Sequence, residues 1–211
     1  MIFNFFSKVI YLLLFNTIAI FAIMIITGCE TDYTPKPKGF NRINLPSHGY
    51  QSLPDTLPYS FQYSTHAILQ KDTSWIAEPY WMQLIYPDFD ASIEITYKPV
   101  FNSDSLLYHY FETAYRLTSQ HKKKAYSIEE TGIILPNRDK AIIAELTGEV
   151  PSQMQFYTSD SSMHFLRGAL YFKTATQNDS LQPVIDYIKE DMLHLLQTLN
   201  WDKNFPVEKL Q

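Results

Sequence analysis

The residue with the clearest chemical role is Cys29, the only cysteine in the 211-residue chain. It follows Ile26, Thr27 and Gly28, so an aliphatic residue and two small residues precede the thiol. This order matches the bacterial lipobox, in which the thiol takes up diacylglycerol and the small residues let an intramembrane peptidase reach the bond before the cysteine. We therefore predict cleavage before Cys29 and lipidation of Cys29. Two or three acyl chains give stable membrane anchoring where a single chain is marginal.

The segment before Cys29 predicts export from the cell interior. Residues 1–7 carry no acidic side chain, Lys8 follows, and residues 9–26 are apolar apart from Asn16 and Thr17. By length alone this stretch also fits a permanent membrane helix, since about 18–20 mainly apolar residues span a bilayer. The lipobox favours a lipoprotein signal peptide at 1–28; the alternative is that Cys29 ends an uncleaved anchor. Both alternatives export the rest of the chain.

Histidine and serine side chains are further candidates for metal binding or nucleophilic catalysis. The six histidines are His48, His66, His109, His121, His164 and His194. No two of them have a zinc-ligand spacing such as H-x-x-x-H, so we predict no metal site. His164 lies close to Ser161 and Ser162, but no G-x-S-x-G nucleophile elbow surrounds either serine. An ordinary strand with alternating polar and apolar residues is the favoured interpretation.

Two pairs of carboxylates, Glu129 with Glu130 and Asp88 with Asp90, suggest acid–base chemistry of the kind used on sugars. Adjacent strand residues point to opposite faces, which separates the first pair, and a proline before the second pair favours a turn. The basic run at 121–124 follows a predicted helix, where it complements the negative end of the helix dipole. We therefore predict no catalytic residue, no cofactor and no enzymatic activity.

Composition excludes several classes of protein. Hydrophobic residues make up 45% and charged residues 18%, which is typical of a folded domain. The formal net charge is −5, and removal of the leader with Lys8, its only charged residue, makes it −6. A nucleic-acid partner is disfavoured because phosphate binding needs concentrated basic residues. A single cysteine also excludes an internal disulfide and a zinc site built from several thiolates.

Apolar periodicity predicts how the exported part is organised. Residues 29–38 are rich in proline and polar residues and predict a lipidated tether, followed by one globular domain at 39–211. Phe40, Ile43 and Leu45 alternate well enough to form an edge strand on that domain. Period-two runs predict further strands at 59–63, 66–69, 81–86, 91–97, 133–135, 141–149, 153–157 and 163–173. Period-3.6 stripes predict helices at 102–124 and 180–201.

This order of strands, helix, strands and helix predicts an α+β fold. We expect a mainly antiparallel sheet covered by the two principal helices. In the second helix the predicted core stripe consists of Leu181, Val184, Ile185, Ile188, Met192, Leu195, Leu196 and Leu199. Asn102, Ser103 or Asp104 is available to cap the first helix.

Several sequence blocks resemble the gliding-motility lipoprotein GldD family of Bacteroidota. They lie in the same order as in that family, at Y-T-P-K-P-K-G-F-N-R-I-N-L-P (33–46), P-Y-S-F-Q-Y (58–63), I-E-I-T-Y-K-P-V (93–100), S-I-E-E-T (127–131), Q-F-Y-T-S-D-S-S-M-H-F-L-R-G-A-L-Y-F (155–172) and D-S-L-Q-P-V-I-D-Y-I-K-E-D-M (179–192). The resemblance implies an envelope protein of the gliding machinery, which is linked to type IX secretion. It carries over one functional residue, Cys29, and no catalytic residues.

Two functions follow as expectations. In the first, the protein is a non-catalytic component that is held in the cell envelope by lipid on Cys29 and binds other gliding or secretion proteins. In the alternative, it is a lipoprotein enzyme or carrier that acts on envelope glycan or lipid. A concave pocket with convergent polar groups favours the alternative, whereas a flat or grooved aromatic surface favours the binding component.

Overall fold

The computed structural model describes residues 13–17, 43–173 and 178–206. The chain divides into two units, residues 1–38 and residues 39–211. In the first unit, residues 13–17 are helical. The remainder of the predicted signal peptide at 1–28, Cys29 and the predicted tether at 29–38 lie outside the described residues. Within the described ranges, no helix combines the length and the apolar character that a bilayer crossing requires.

The second unit has the predicted α+β architecture. Its strands are β1 (Tyr50–Ser52), β2 (Tyr59–Ser60), β3 (Gln62–Ser64), β4 (Ile68–Lys71), β5 (Met82–Tyr86), β6 (Ala91–Pro99), β7 (Ala125–Ile134), β8 (Lys140–Gly148), β9 (Met154–Ser159), β10 (His164–Phe172) and β11 (Asn200–Trp201). Its helices are α1 (Asp104–Ser119) and α2 (Asn178–Gln197).

One large sheet organises these elements. It has seven strands in the order β4-β5-β6-β10-β9-β8-β7, and every neighbouring pair is antiparallel. Two short ribbons, β1 with β3 and β11 with β2, lie outside it. The prediction of an antiparallel sheet with two principal helices is confirmed.

The main core lies between one face of this sheet and α2. Leu84, Ile93 and Leu170 stand side by side on adjacent strands of that face and are buried. The α2 stripe packs against them, and Ile188 in its centre is fully buried. Apolar residues at period two in the strands and period 3.6 in the helix therefore meet in one core, as the sequence predicts.

Gly168 is required by the packing of that core. It lies on the face under α2, opposite Phe156 of β9 in the strand register. A Cβ atom at position 168 would overlap the ring of Phe156, which is itself fully buried. The glycine therefore leaves the space that the aromatic ring fills.

The opposite face is covered only in part. Val100, Ala114 and Phe165 form a small core where α1 crosses the ends of β9 and β10. The other half of this face, on β4, β5, β6 and β10, carries a row of four neighbouring residues: Ile68, Ile85, Ser92 and Tyr171. Ile68 is 58% exposed there. One helix is too narrow to cover a seven-stranded sheet, so half of this face borders solvent.

Three predicted strands differ from the structure. The predicted strand at 59–63 is two strands, because β2 pairs with β11 whereas β3 pairs with β1. Residues 43–49 form no strand: Ile43 packs on the main core without strand pairing, and Pro46 has no N–H to donate to a ladder. Phe40 lies outside the described residues.

The third difference is β7, which is ten residues long where three were predicted. Its centre is polar on both sides, so apolar periodicity gave no signal. Pairing with β8 along most of its length makes it a strand nevertheless, and its position at the sheet edge leaves the polar side chains in water.

The first helix ends earlier than predicted. Ser103 caps its start, because the Ser103 hydroxyl accepts a hydrogen bond from the Leu106 N–H at 3.3 Å. The α-helical part ends at Ser119, and residues Gln120–Lys123 continue as a 3₁₀ turn. The lysine run therefore lies at the end of the helix, as predicted, but in a tighter turn.

Candidate docking surface

The connection between β4 and β5 presents two apolar side chains to solvent. We call residues 72–81 the Trp75 loop. The Trp75 side chain is 96% exposed and Ile76 is 54% exposed. Burial of a tryptophan on a partner removes about 150–250 Å² from water, a gross gain of about 4–6 kcal/mol. An aromatic side chain left this exposed is a strong candidate for a binding contact.

The backbone of the Trp75 loop is held by hydrogen bonds that do not involve Trp75. The Asp72 N–H donates to the Trp81 carbonyl at 3.1 Å and closes the neck of the loop. The Asp72 carboxylate accepts from the Ser74 N–H at 2.8 Å, and the Ala77 N–H donates to the Ser74 carbonyl at 3.0 Å. The tryptophan is thus displayed by an ordered turn.

The same loop forms one wall of an apolar cleft of about 360 Å³. The cleft is lined by Pro54, Thr56, Leu57, Leu69, Lys71, Pro79, Tyr80, Trp81 and Met82. Among the described residues of this lining, Lys71 is the single charged one, and none is a carboxylate or a histidine. A cleft with proline and aromatic walls suits an apolar or extended chain.

The aromatic wall of the cleft is rigid. Tyr80 has a left-handed backbone with φ of 69°, which is unfavourable for an aromatic residue. Its carbonyl accepts a hydrogen bond from the Tyr59 hydroxyl at 2.6 Å, which holds the strained conformation. The Trp81 indole N–H donates to the Tyr97 carbonyl at 2.8 Å, and Lys98 Nζ lies 5.2 Å from the centre of the Trp81 ring. Strain of this kind marks a geometry that the fold has to enforce.

A second cluster joins the segment before β1 to α2. The buried carboxylate of Asp191 accepts from the Tyr86 hydroxyl at 2.9 Å and lies 2.8 Å from Nδ1 of His48. Nε2 of His48 lies 2.8 Å from the Glu190 carboxylate. The His48 ring also stacks on Tyr187, with ring centres 4.2 Å apart. Burial raises the pKa of Tyr86, and Asp191 raises it further.

This arrangement resembles the carboxylate–histidine pair of hydrolases only in part. In a triad the second ring nitrogen faces a nucleophile. In His48 that nitrogen faces Glu190 instead. Tyr50 stacks on His194 at 3.5 Å, and burial, followed by Asp191, raises the pKa of Tyr50 to about 12. The cluster therefore clamps residues 48–50 to α2 through neutral tyrosines and a histidine held between two carboxylates.

His164 is buried in the interior of the protein, a position that does not suit a general base. Tyr97 Oη lies 2.8 Å from His164 Nδ1, and the ring stacks on Trp201 at 5.2 Å. Burial lowers the pKa of His164, which the surrounding aspartates partly oppose. The Ser162 hydroxyl donates to Asp160 at 3.0 Å and makes no hydrogen bond to His164. The serines and the histidine are neighbours in sequence but do not form a catalytic pair.

Asp160 supports the turn between β9 and β10. Its Oδ1 accepts three backbone N–H groups, those of Ser162, Met163 and His164, at 2.9–3.0 Å. Burial alone would raise the pKa of Asp160, but these donors outweigh burial and hold the pKa below its usual range. A carboxylate engaged in this way is structural.

The two carboxylate pairs noted in the sequence lie in an edge strand and in a turn. Glu129 and Glu130 are consecutive in β7, pair with Glu145 and Ala144 respectively, and are both exposed. Asp88 lies in a 3₁₀ turn, and Asp90, which follows that turn, has a left-handed backbone and an ion pair of 3.0 Å with Lys173.

In the described part of the chain, no group of three or more His, Cys, Asp or Glu side chains is placed to hold a metal ion. Cys29 lies outside the described residues. Of the basic run, Lys122 lies with its Nζ 5.7 Å from the ring of Tyr115 on the exposed side of α1.

Two features of this surface were missed by sequence reasoning. Asp191 and His48 are 143 positions apart, so spacing could not pair them. The available signal was a carboxylate inside the apolar stripe of α2, between Ile188 and Met192. Trp75 and Ile76 carried a signal too, because they are two large apolar residues inside a polar connection.

Comparison with known proteins identifies the family. The family model of the gliding motility lipoprotein GldD matches residues 30–201. The chain belongs to this family. The predicted resemblance is confirmed, and GldD family membership makes the chain an envelope-anchored lipoprotein of gliding motility.

Other comparisons add little to the family assignment. No curated protein matches the chain. Among solved structures, cyanobacterial PsbP (CyanoP) from Synechocystis sp. PCC 6803 is similar, with 12% sequence identity and a TM-score of 0.45. The match covers 77% of this chain and 98% of that chain.

Proposed function

We propose that this GldD-family chain is a non-catalytic component of the gliding machinery, linked to type IX secretion, that acts by binding protein partners in the cell envelope. Lipid on Cys29, after removal of the signal peptide at 1–28, holds it on the membrane. The Trp75 loop and the apolar cleft form its docking surface. The observation that carries the proposal is the 96% exposure of Trp75 on an ordered loop beside that cleft.

The chemistry of the polar clusters supports a binding role over catalysis. His48 has a carboxylate at each ring nitrogen, and His164 is buried against Tyr97 and Trp201. Asp160 is saturated with backbone donors. General acid–base work requires a titratable group that can reach a substrate proton, and these groups already hold other parts of the fold.

A carrier of lipid or glycan is the second candidate, and the volume and apolar lining of the cleft favour it. About 360 Å³ is within the range of small-molecule pockets. The two candidates differ in what the cleft holds. A carrier retains an extractable ligand in addition to the lipid on Cys29, whereas a docking surface retains none. Mass spectrometry of an organic extract of the purified protein distinguishes them.

The proposal is tested by complementing a deletion strain with single variants. The Trp75→Ala variant should fold normally, because substitution of an exposed side chain changes the free energy of unfolding by less than about 0.5 kcal/mol. The variant should nevertheless reduce gliding severely. Tyr126→Ala is the matched control: Tyr126 is 81% exposed on β7, at the opposite edge of the sheet from β4, and should glide normally. Protein level and acyl labelling are measured for each variant.

A Cys29→Ser variant tests the anchor separately. It should lose both acyl labelling and gliding, since the serine hydroxyl does not replace the thiol in lipidation.

Normal gliding by Trp75→Ala at wild-type protein level would contradict the docking surface. Acyl labelling of the Cys29→Ser protein would contradict the lipid site.

A further inference from the structure

Arg167 is a buried cation on the α1-facing side of β10. Its side chain retains 9% exposure. One guanidinium nitrogen, Nη2, donates to Gln155 Oε1 at 2.7 Å. Another, Nε, is buried and has no hydrogen-bond partner in the described part of the chain. Within the described residues, no carboxylate lies within 4.0 Å of the guanidinium. A buried cation without a contacting anion is costly to the fold unless something else compensates it.

Gln155 presents a second unpartnered donor at the same place. The residue is 1% exposed, and its Oε1 accepts from both Arg167 and the Thr118 hydroxyl, the latter at 3.0 Å. The Arg167 N–H can only donate, so its contact fixes the orientation of the amide, whereas the Thr118 hydroxyl also lies 3.2 Å from the Ala114 carbonyl. The amide nitrogen Nε2 is buried, and none of the residues that the structure describes accepts a hydrogen bond from it. Both unsatisfied atoms are N–H donors, so the site lacks an acceptor.

The two donors flank one hydrogen bond. Arg167 Nε shares a carbon atom with Nη2, and Gln155 Nε2 shares a carbon atom with Oε1. Ala169, which faces Gln155 across the strand pair, contributes only a methyl group to this face. Both donors therefore lie next to the same hydrogen bond, close enough for one acceptor group to reach both.

Neighbouring charges define what kind of acceptor fits. Burial lowers the pKa of His121, and the charge of Arg167 lowers it further. Glu94, which keeps part of its surface in solvent, lies diagonal to Arg167 across β6 and β10. Its partial burial and the charge of Asp72 raise the pKa of Glu94, whereas the charge of Arg167 lowers it. A nearby acidic side chain disfavours a dianion more than a monoanion. Glu94 and the half-buried His121 also border solvent, so the margin of α1 is the direction of entry.

We propose that Arg167 and Gln155 form a binding site for a carboxylate group, whose two oxygens accept the Arg167 Nε–H and the Gln155 Nε2–H. The carboxylate belongs to a small molecule or to a polypeptide side chain. This site is separate from the Trp75 loop and does not rest on the proposed docking function.

The experiment uses the full chain in detergent micelles with ¹⁵N-labelled arginine and glutamine side chains. Acetate is titrated against chloride at constant ionic strength while the Arg167 Nε–H and Gln155 Nε2–H resonances are followed by NMR. Both should shift together and saturate. Arg167→Met should weaken the Gln155 response at least tenfold. Arg116→Gln removes an exposed cation from α1 and should leave both responses unchanged.

Gln155→Glu keeps the proposal testable if Arg167→Met does not fold. It supplies a carboxylate beside Arg167 from within the chain, so the variant should fold and the Arg167 resonance should no longer respond to acetate. A second titration with N-acetyl-glutamate-N-methylamide identifies the source. Saturation by both probes supports a side-chain carboxylate, whereas saturation by acetate alone supports a free small carboxylate.

Three results would overturn the assignment. The first is the absence of a saturable shift with acetate in the wild-type chain. The second is saturation by inorganic phosphate at a lower concentration than acetate, which would make the site a phosphate site. The third is a water molecule that exchanges magnetisation with both N–H groups and is not displaced by acetate.

Discussion

The two faces of the seven-stranded sheet are closed to different extents. The face under α2 is packed with aliphatic and aromatic side chains around Ile93 and Ile188. The face under α1 carries two smaller apolar clusters, one around Phe165 and one around Leu146, and it also holds the buried polar residues Arg167 and Gln155. We therefore expect the α2 face to supply most of the free energy of unfolding. The polar groups on the α1 face should contribute little to it.

The first prediction measures this difference with one residue type. Ile93, 1% exposed, faces α2, whereas Ile68, on the other face, is 58% exposed. Ile93→Ala should lower the free energy of unfolding by about 2–5 kcal/mol, because a buried side chain leaves a cavity. Ile68→Ala should change it by less than about 0.5 kcal/mol. Denaturant unfolding of residues 39–211 measures both.

Equal losses for the two isoleucine variants would contradict the comparison, because they would mean that the open half of the sheet is covered in solution. A change in the slope of the denaturant curve for either variant would instead report a change in surface exposed on unfolding, so the slopes must be compared first.

The second prediction uses pH to compare one buried histidine with one half-buried histidine. Burial lowers the pKa values of His164 and His121 from the ordinary value of 6.5. Below that pH the unfolded chain binds protons that the folded chain does not, so the free energy of unfolding should fall as the pH falls. Each histidine contributes at most about 1.4 kcal/mol per pH unit. The contribution ends below the folded-state pKa.

Substitution isolates each contribution. His164→Phe should remove more of the slope between pH 6.5 and 5 than His121→Gln, because His164 is fully buried among aromatic rings. The difference from wild type cancels the contributions of Asp139 and Glu94, whose pKa values burial raises. A larger effect at His121 would mean that the α1 side is the more strongly desolvated one.

The predictable parts of this molecule are those that depend on local pattern. The stripe around Ile188 predicted α2 and its buried side. β7 was predicted too short because its centre is polar. Backbone pairing with β8, and not apolar alternation, makes that segment a strand. Backbone pairing of that kind leaves no mark in the sequence of a single strand.

The sites depend on contacts between distant residues and were accordingly harder to predict. Asp191 meets His48 only after α2 packs beside the segment before β1. Arg167 follows the alternation of polar and apolar residues in its strand, and that alternation gives no sign that the arginine is buried. Its burial results from α1, which crosses the same part of the sheet and places Thr118 against Gln155.

Site-specific photocrosslinking in gliding cells tests the docking function most directly. A benzophenone amino acid replaces Trp75 in one strain and Tyr126 in another, and both proteins are checked for lipidation. The probe at position 75 should give light-dependent adducts with envelope proteins of the gliding or secretion machinery, and the probe at 126 should not. Equal adducts at both positions, or adducts at 75 with lipid alone, would contradict a protein-docking role for the Trp75 loop.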